Sequence, residues 1–355
     1  MTVREKLPGG WHGDDLRHDQ SWILPWQHNE ISDLNDLLSF GEENALHWQK
    51  VAASDLTPSL SILTKLDLIS RQLEDGFGFV KLTGFPLDQY STDQLKMLWM
   101  ILAQYLGTPV FQDCHGQMMR EIRDEGGNLG DRHGRMQDKT TGDEFLSSKA
   151  RTYSNGVLRY HTDRTDVVGL MTLGQAASGG LSKVTSAIAV HNEILERRPD
   201  LLEVLYQPYY RSRLGEEAGG ENVVYALPVF GLFDGKLTTH YSRTYIEAAQ
   251  MQTGTPQMTD DQWEAIDLLA EVADEFCLSM RLEPGDMQFL NSHITYHARD
   301  EFSDDPASGN VRNLIRVWLS MPNSRRLPED HQILWRDVGA GALRGGIGQE
   351  PVGPS

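Results

Sequence analysis

The sequence has almost no cysteine, no basic cluster and no long apolar run, and each absence removes a class of function. Cys114 and Cys277 are the only two cysteines among 355 residues. They are too few for a disulfide framework and too far apart for a metal knuckle, so a reducing compartment is the expected setting. Acidic residues outnumber basic ones, 51 against 32, for a formal net charge of −19. That balance excludes a charged surface for nucleic acid or an anionic membrane. No uninterrupted apolar run is long enough to span a bilayer, and the start Met1-Thr2-Val3-Arg4-Glu5-Lys6-Leu7-Pro8 holds no apolar signal region. The expectation is a soluble cytoplasmic protein with a small-molecule substrate and no nucleic-acid or membrane partner; homo-oligomerisation stays open. Internal repeats are also absent, and the length fits one domain over 1–355, a β-sandwich or barrel carrying helices.

What is present divides the chain into recognisable pieces. Residues 1–35 are polar and glycine-bearing, with Trp11, Trp22 and Trp26 spaced through them, and read as an extended arm held to the body by its rings. A helical region is predicted over Leu56–Leu73, then a short strand between glycines over Gly76–Gly84. Ser91-Thr92-Asp93-Gln94 is a capping box ahead of Leu95, Leu98, Trp99, Leu102 and Leu106 at helical spacing, and Thr259-Asp260-Asp261-Gln262 is a second ahead of Trp263, Ile266, Leu269 and Val272. Between them, Ser186–Tyr206 has helical spacing broken at Pro199, and Asp234-Gly235 joins two strands as a hairpin. Residues 126–150 are polar and without period, a candidate lid loop, and 338–355 read as a flexible tail.

The candidate chemistry centres on Arg159-Tyr160-His161-Thr162-Asp163, which runs into the apolar Val167–Leu173. If this is one strand, His161 and Asp163 leave the backbone on the same face. An imidazole and a carboxylate so placed are two thirds of the two-His-one-carboxylate set that holds ferrous iron and leaves positions open. His191, His240, His293 and His297 are the candidates for the third ligand. His293 and His297 precede the strand Arg312–Leu319 across a polar connection; antiparallel neighbours so joined would lie side by side, bringing one of them beside Arg312. On that strand Arg312, Leu314, Arg316 and Trp318 share one face. A guanidinium aimed into a barrel must meet a carboxylate, whether from the protein or from a dicarboxylate cosubstrate.

His161-Thr162-Asp163, Gly179-Gly180-Leu181-Ser182, Pro284-Gly285-Asp286, Asn291 with His297-Ala298-Arg299, and Arg312-Asn313-Leu314-Ile315-Arg316 together resemble the taurine-dioxygenase-like branch of Fe(II)/2-oxoglutarate oxygenases. The resemblance implies an α+β fold, a double-stranded β-helix (jelly roll) with flanking helices. It further implies that His161, Asp163 and His297 hold the iron, that Arg312 pairs with the distal carboxylate of 2-oxoglutarate, and that the Ser182 hydroxyl assists. Arg316 matches a second arginine that faces the cosubstrate's other end or an acid on the substrate. The implied cofactor set is Fe(II), 2-oxoglutarate and O2, and the implied reaction is oxidation of an unactivated C–H bond with release of succinate. Related halogenases lack an acid at the position of Asp163, so its presence favours hydroxylation or desaturation.

Two other readings use the same residues. A zinc hydrolase could employ His161, Asp163 and His297, but it leaves the paired arginines unused; a non-catalytic jelly-roll binding protein leaves the intact ligand set unused. The expected substrate is a small polar metabolite carrying an acid, an amino acid or sulfonate for example, with Arg316, Arg159 and Arg123 as the candidate contacts.

Overall fold

The computed structural model describes residues 5–348 apart from 134, 138–143, 147, 214–215 and 218, and for 132–149 the backbone alone. Two sheets dominate. The larger runs Ile23–Pro25, Phe79–Thr83, Met287–Asn291, Val167–Gly174, Asn313–Ser320 and Thr108–Pro109, with Met119–Arg123 also on the edge of Asn313–Ser320. The smaller runs Leu278–Met280, Ser182–Ser186, Thr295–Arg299 and Leu158–His161. Every pairing is antiparallel except that of Ile23–Pro25 with Phe79–Thr83. The sheets face each other as the two halves of a jelly roll, and Val168, Leu290, Leu314 and Trp318 of one share a buried cluster with Val184, Leu278 and Met280 of the other.

Strand alternation decides which side chains enter the space between the sheets. Ile315, Val317 and Leu319 point outward into a cluster with Leu98, Trp99 and Leu102, whereas Leu314 and Trp318 point inward. The outer cluster is built by the helices Leu60–Asp75 and Thr92–Leu106, the latter started by Ser91, whose side chain accepts from the Gln94 N–H. Trp99 comes so close that a Cβ on Gly169 would stand 3.0 Å from its ring and 2.9 Å from Phe289. On the other side Tyr296, Tyr160 and Ala298 pack outward against Ala187–Arg197, Pro199–Leu205 and Asp260–Glu275.

Several sequence expectations hold and others need correction. Both capping boxes start helices, Pro199 opens a second helix, and Asp234-Gly235 closes a hairpin with φ of 48° and 76°. The first helix begins at Leu60 rather than Leu56, because Ser59 caps it and Pro58 disfavours a helical residue before it. The rings of Trp11, Trp22 and Trp26 are buried, but the arm carries a helix at Gly13–His18, a strand at Ile23–Pro25 and the start of the helix His28–Glu43. Among the described part of 126–150 there are helices at Leu129–His133 and Ser148–Thr152 and a hairpin of Arg135–Gln137 with Glu144–Leu146, so this stretch is not structureless. The remainder of that candidate lid lies outside the described residues. The tail 338–355 is not loose as far as Gly348: Arg344 and Ile347 are buried, and Ile347 donates its N–H to the Phe111 carbonyl at 2.7 Å.

Because Trp99 fills the space between its helix and the larger sheet, Trp99→Ala should cost about 3–5 kcal/mol. Ser91→Ala removes only a cap and should cost about 1 kcal/mol. Urea unfolding midpoints of the two variants measure the difference.

Candidate metal and cosubstrate site

The site is assembled where the smaller sheet's strands meet the corner that crosses to the larger one. Leu158–His161 pairs with Thr295–Arg299 so that His161 lies directly opposite His297. Directly opposed residues share a face, and their rings stand 4.1 Å apart between centroids. Asp163 follows in the corner that leads to Val167–Gly174. The H-x-D tripeptide therefore does not lie within one continuous strand: it spans the end of a strand in one sheet and the crossing to the other. Ligand atoms of His161, Asp163 and His297 all lie within 4.8 Å of one another, and His297 Nε2 is 3.6 Å from Asp163 Oδ2.

Each of the three is presented in the protonation state a cation needs. His161 Nδ1 is 2.8 Å from the Arg159 carbonyl, which can only accept, so Nδ1 carries the proton and Nε2 keeps its lone pair. Burial holds His161 below its ordinary pKa and drives His297 down to about 3, with the neighbouring His161 adding to the shift. Burial alone would raise the Asp163 carboxyl, but the Arg316 guanidinium beside it holds it below the usual range. Its Oδ2 is buried without a hydrogen-bond partner. Two neutral nitrogens and one anionic oxygen, that oxygen unsatisfied, fit a divalent cation with open positions.

A second orphan stands beside them. Arg312 is 6% exposed and its Nη1 has no hydrogen-bond partner. Burial lowers its pKa to about 9, with Arg299 adding to the effect. It lines an inner cavity together with Ser182, His161, His297 and Arg316. Ser182 Oγ donates to Gln288 Oε1 at 3.2 Å and so stays in that wall. The double glycine before Ser182 makes room for the guanidinium. Gly179 and Gly180 have φ of +72° and +70°, and a Cβ on Gly180 would stand 3.3 Å from the Arg312 Cδ. Asp304 accepts from the Arg312 backbone N–H at 2.9 Å and acts on the guanidinium from outside ion-pair distance, and among the described residues no acid pairs with it; a buried cation so placed against a cavity fits an anionic ligand.

Arg316 stands on the divide between this cavity and an outer chamber, 3.5 Å from Asp163 Oδ1, with its Nε on Gln112 Oε1 at 2.7 Å. The outer chamber is lined by seven arginines against two acids, Asp163 and Glu216. Arg159 is among them, but it forks onto Glu247 at 3.1 and 2.7 Å. Its carbonyl, rather than its charge, serves the cluster. Arg123 is a correction: it is exposed and lines neither cavity, because on Met119–Arg123 the alternate positions Arg120 and Ile122 face inward. Arg120, ion-paired to Asp113, is the arginine of that strand that sequence reasoning missed, and the strand's two-residue period was the signal for it.

The other histidines serve the fold. His191 packs on Tyr206 and Phe230, and His240 sits between Thr162 and Tyr225. His293 Nε2 meets Asp166 at 2.7 Å and its Nδ1 meets Thr238. Thr295–Arg299 and Asn313–Ser320 are not neighbours in one sheet, as the connecting loop suggested, but belong to opposite sheets. His297 therefore faces Arg312 across the cavity instead of flanking it.

The chain is similar in sequence and fold to known proteins. A model of the family described as taurine catabolism dioxygenase TauD, TfdA matches residues 44–318. FR-33289 synthase of Streptomyces rubellomurinus is 34% identical over 263 residues, 72% of this chain and 73% of that one. The taurine hydroxylase-like protein SAT17 of Stachybotrys chartarum is 24% identical over 92% of this chain and 80% of its own. Among solved structures, an asparagine oxygenase in complex with Fe(II), 2S,3S-3-hydroxyasparagine and succinate superposes with a TM-score of 0.64 at 13% identity, over 92% of this chain and 99% of that one.

Burial outweighs Asp166 at His293 and brings its pKa from 6.5 to about 4, so this imidazole is neutral in the fold. Its contribution to stability is complete above pH 6.5 and is lost as the pH falls through about 4. Unfolding free energies of the metal-free protein should therefore decline on acidification across that window and stay level above it.

Proposed function

The chain belongs to the taurine catabolism dioxygenase TauD, TfdA family, and from that premise we propose that His161, Asp163 and His297 hold Fe(II) while Arg312 grips the distal carboxylate of 2-oxoglutarate. Membership makes it an oxidoreductase of the Fe(II)/2-oxoglutarate class. When bound, Fe(II), 2-oxoglutarate and O2 would supply the oxidising power, with the 2-oxo acid converted to succinate and CO2. The observation that carries the residue assignment is the pair of buried orphans, Asp163 Oδ2 and Arg312 Nη1, on the same cavity system as the two imidazoles.

The chain's own side chains then divide the work. His161 and His297 donate neutral nitrogens, and Asp163 an anionic oxygen. Arg312 and Ser182 fix the cosubstrate's far end, and Val168, Leu170 and Leu314 keep the space around it dry. Arg316, next to Asp163, anchors an acidic group of the organic substrate, and the arginine-rich chamber beyond it suits a small anionic metabolite. Hydroxylation of an unactivated C–H bond is the outcome favoured by the acid at position 163. A zinc hydrolase has no use for the free Arg312.

Succinate release from 2-oxoglutarate with added Fe(II), scored over a panel of amino acids, sulfonates and other small acids, identifies the substrate; no turnover across the panel with the metal bound would overturn the reading. Arg312→Gln should lose about 2–5 kcal/mol of 2-oxoglutarate affinity by calorimetry. Arg316→Ala should raise KM for the acidic substrate and leave 2-oxoglutarate binding near wild type. The reverse pattern would move Arg316 to the cosubstrate.

A further inference from the structure

Asp163 is held from the larger sheet only by its Oδ1 side, where Arg316 and Trp318 of one strand face reach it. Its Oδ2 makes no hydrogen bond, and Arg316 approaches its Oδ1 only to 3.5 Å. With Oδ2 unpartnered, the position of this carboxylate depends as well on the backbone of the corner 162–166, between the last residue of one sheet and the first of the other. That corner is gripped from an unexpected place, the carboxy-terminal segment 338–348.

Two contacts make the grip. Gly346 donates its N–H to the Arg164 carbonyl at 2.7 Å. Arg344 reaches Asp166 Oδ1 with its Nε at 2.7 Å. The Arg344 guanidinium is also seated on the Arg325 carbonyl at 2.7 Å and the Gly339 carbonyl at 3.1 Å, and its backbone N–H on Ser320 Oγ at 3.0 Å. Asp166 is 1% exposed and accepts from His293 and from the Met321 N–H, at 2.7 and 2.9 Å. Among the described residues Arg344 is the only arginine or lysine in ion-pair contact with it. Between the two contacts lies Gly345, with φ of +81°, where a Cβ would stand 3.0 Å from both the Arg164 carbonyl oxygen and the Thr165 Cα. The segment is thus fitted against the three residues that follow Asp163.

We propose that segment 338–348 is a strap that positions the Asp163 corner for metal binding, with Arg344 as the positioning residue that pins it. The inference rests on the reading of His161, Asp163 and His297 as the ligand set. The strap lies beyond the matched range 44–318, so it is not covered by the family match. A buried carboxylate at Asp166 with no fixed cation would draw away from its seat, and the corner would carry the Asp163 oxygen with it. Loss of the strap acts on the metal site through the chain, without touching a ligand.

The test is titration of the full-length protein with Co(II), read by its visible d–d absorption, which reports both affinity and ligand geometry apart from turnover. Arg344→Gln should bind Co(II) about 10-fold or more weakly with an altered band, and Arg344→Lys should recover most of the loss. Gly345→Ala keeps Arg344 but presses a methyl group onto Arg164 and Thr165. It should weaken binding in the same direction, and it decides the matter if Arg344→Gln does not fold. Wild-type affinity and band shape in folded Gly345→Ala and Arg344→Gln would overturn the strap. Asp163→Ala is the control: undiminished Co(II) binding there would overturn the ligand assignment itself, whereas its loss beside unaffected strap variants would overturn the strap alone.

Discussion

The antiparallel pairing that sets His161 opposite His297 is the constraint on which the rest depends. A slip of one residue in that register would turn either imidazole to the helix-covered face, where Tyr160, Tyr296 and Ala298 now pack. The same register fixes the neighbours: Ser182–Ser186 pairs with Thr295–Arg299 so that Ser182 lies opposite Arg299, and both face the inner cavity. The buried aromatic face and the reactive face are thus two readings of a single alternation. Hydrophobic packing on the outside enforces polar convergence on the inside.

Much of this was legible in the sequence, and the limits have physical causes. Period-two alternation on Arg312–Leu319 separated Leu314, Arg316 and Trp318 from Ile315 and Val317, and the sheet keeps that division. The two capping boxes were legible because a cap is a local affair, satisfied within four residues. The choice of His297 among four histidines was not, since it depends on which strands pair, and only likeness to a family supplied it. Arg123 was misassigned because the face of its strand was not considered; Arg120, three residues before it on the same strand, has the inward position. The part of the tail that the structure describes, 338–348, departs from expectation for a further reason. Its glycines looked like slack, yet Gly345 and Gly346 adopt φ of +81° and +71° against the Asp163 corner, which a bulkier residue could not do.

Charge in this protein is distributed by depth. The surplus of 19 negative charges belongs to the whole chain, whereas seven arginines converge on one chamber. Most of these arginines are not idle: Glu221 is shared by Arg164 and Arg213, and Glu247 by Arg159 and Arg243. With Asp113 on Arg120, Asp267 on Arg243 and Asp163 beside Arg316, these carboxylates stiffen the wall and offset much of the arginine charge that faces the chamber.

An acidic exterior around a cationic chamber also governs how a small anion arrives. At a distance it meets repulsion from the molecule as a whole, and the arginines are felt only once it is within roughly 8 Å, the screening length at physiological ionic strength. Dissolved salt weakens the outer barrier more than the partly buried attraction, so capture of the small acid proposed as substrate should quicken as ionic strength rises from very low values. That is the opposite of the behaviour of an enzyme whose whole surface steers its ligand inward.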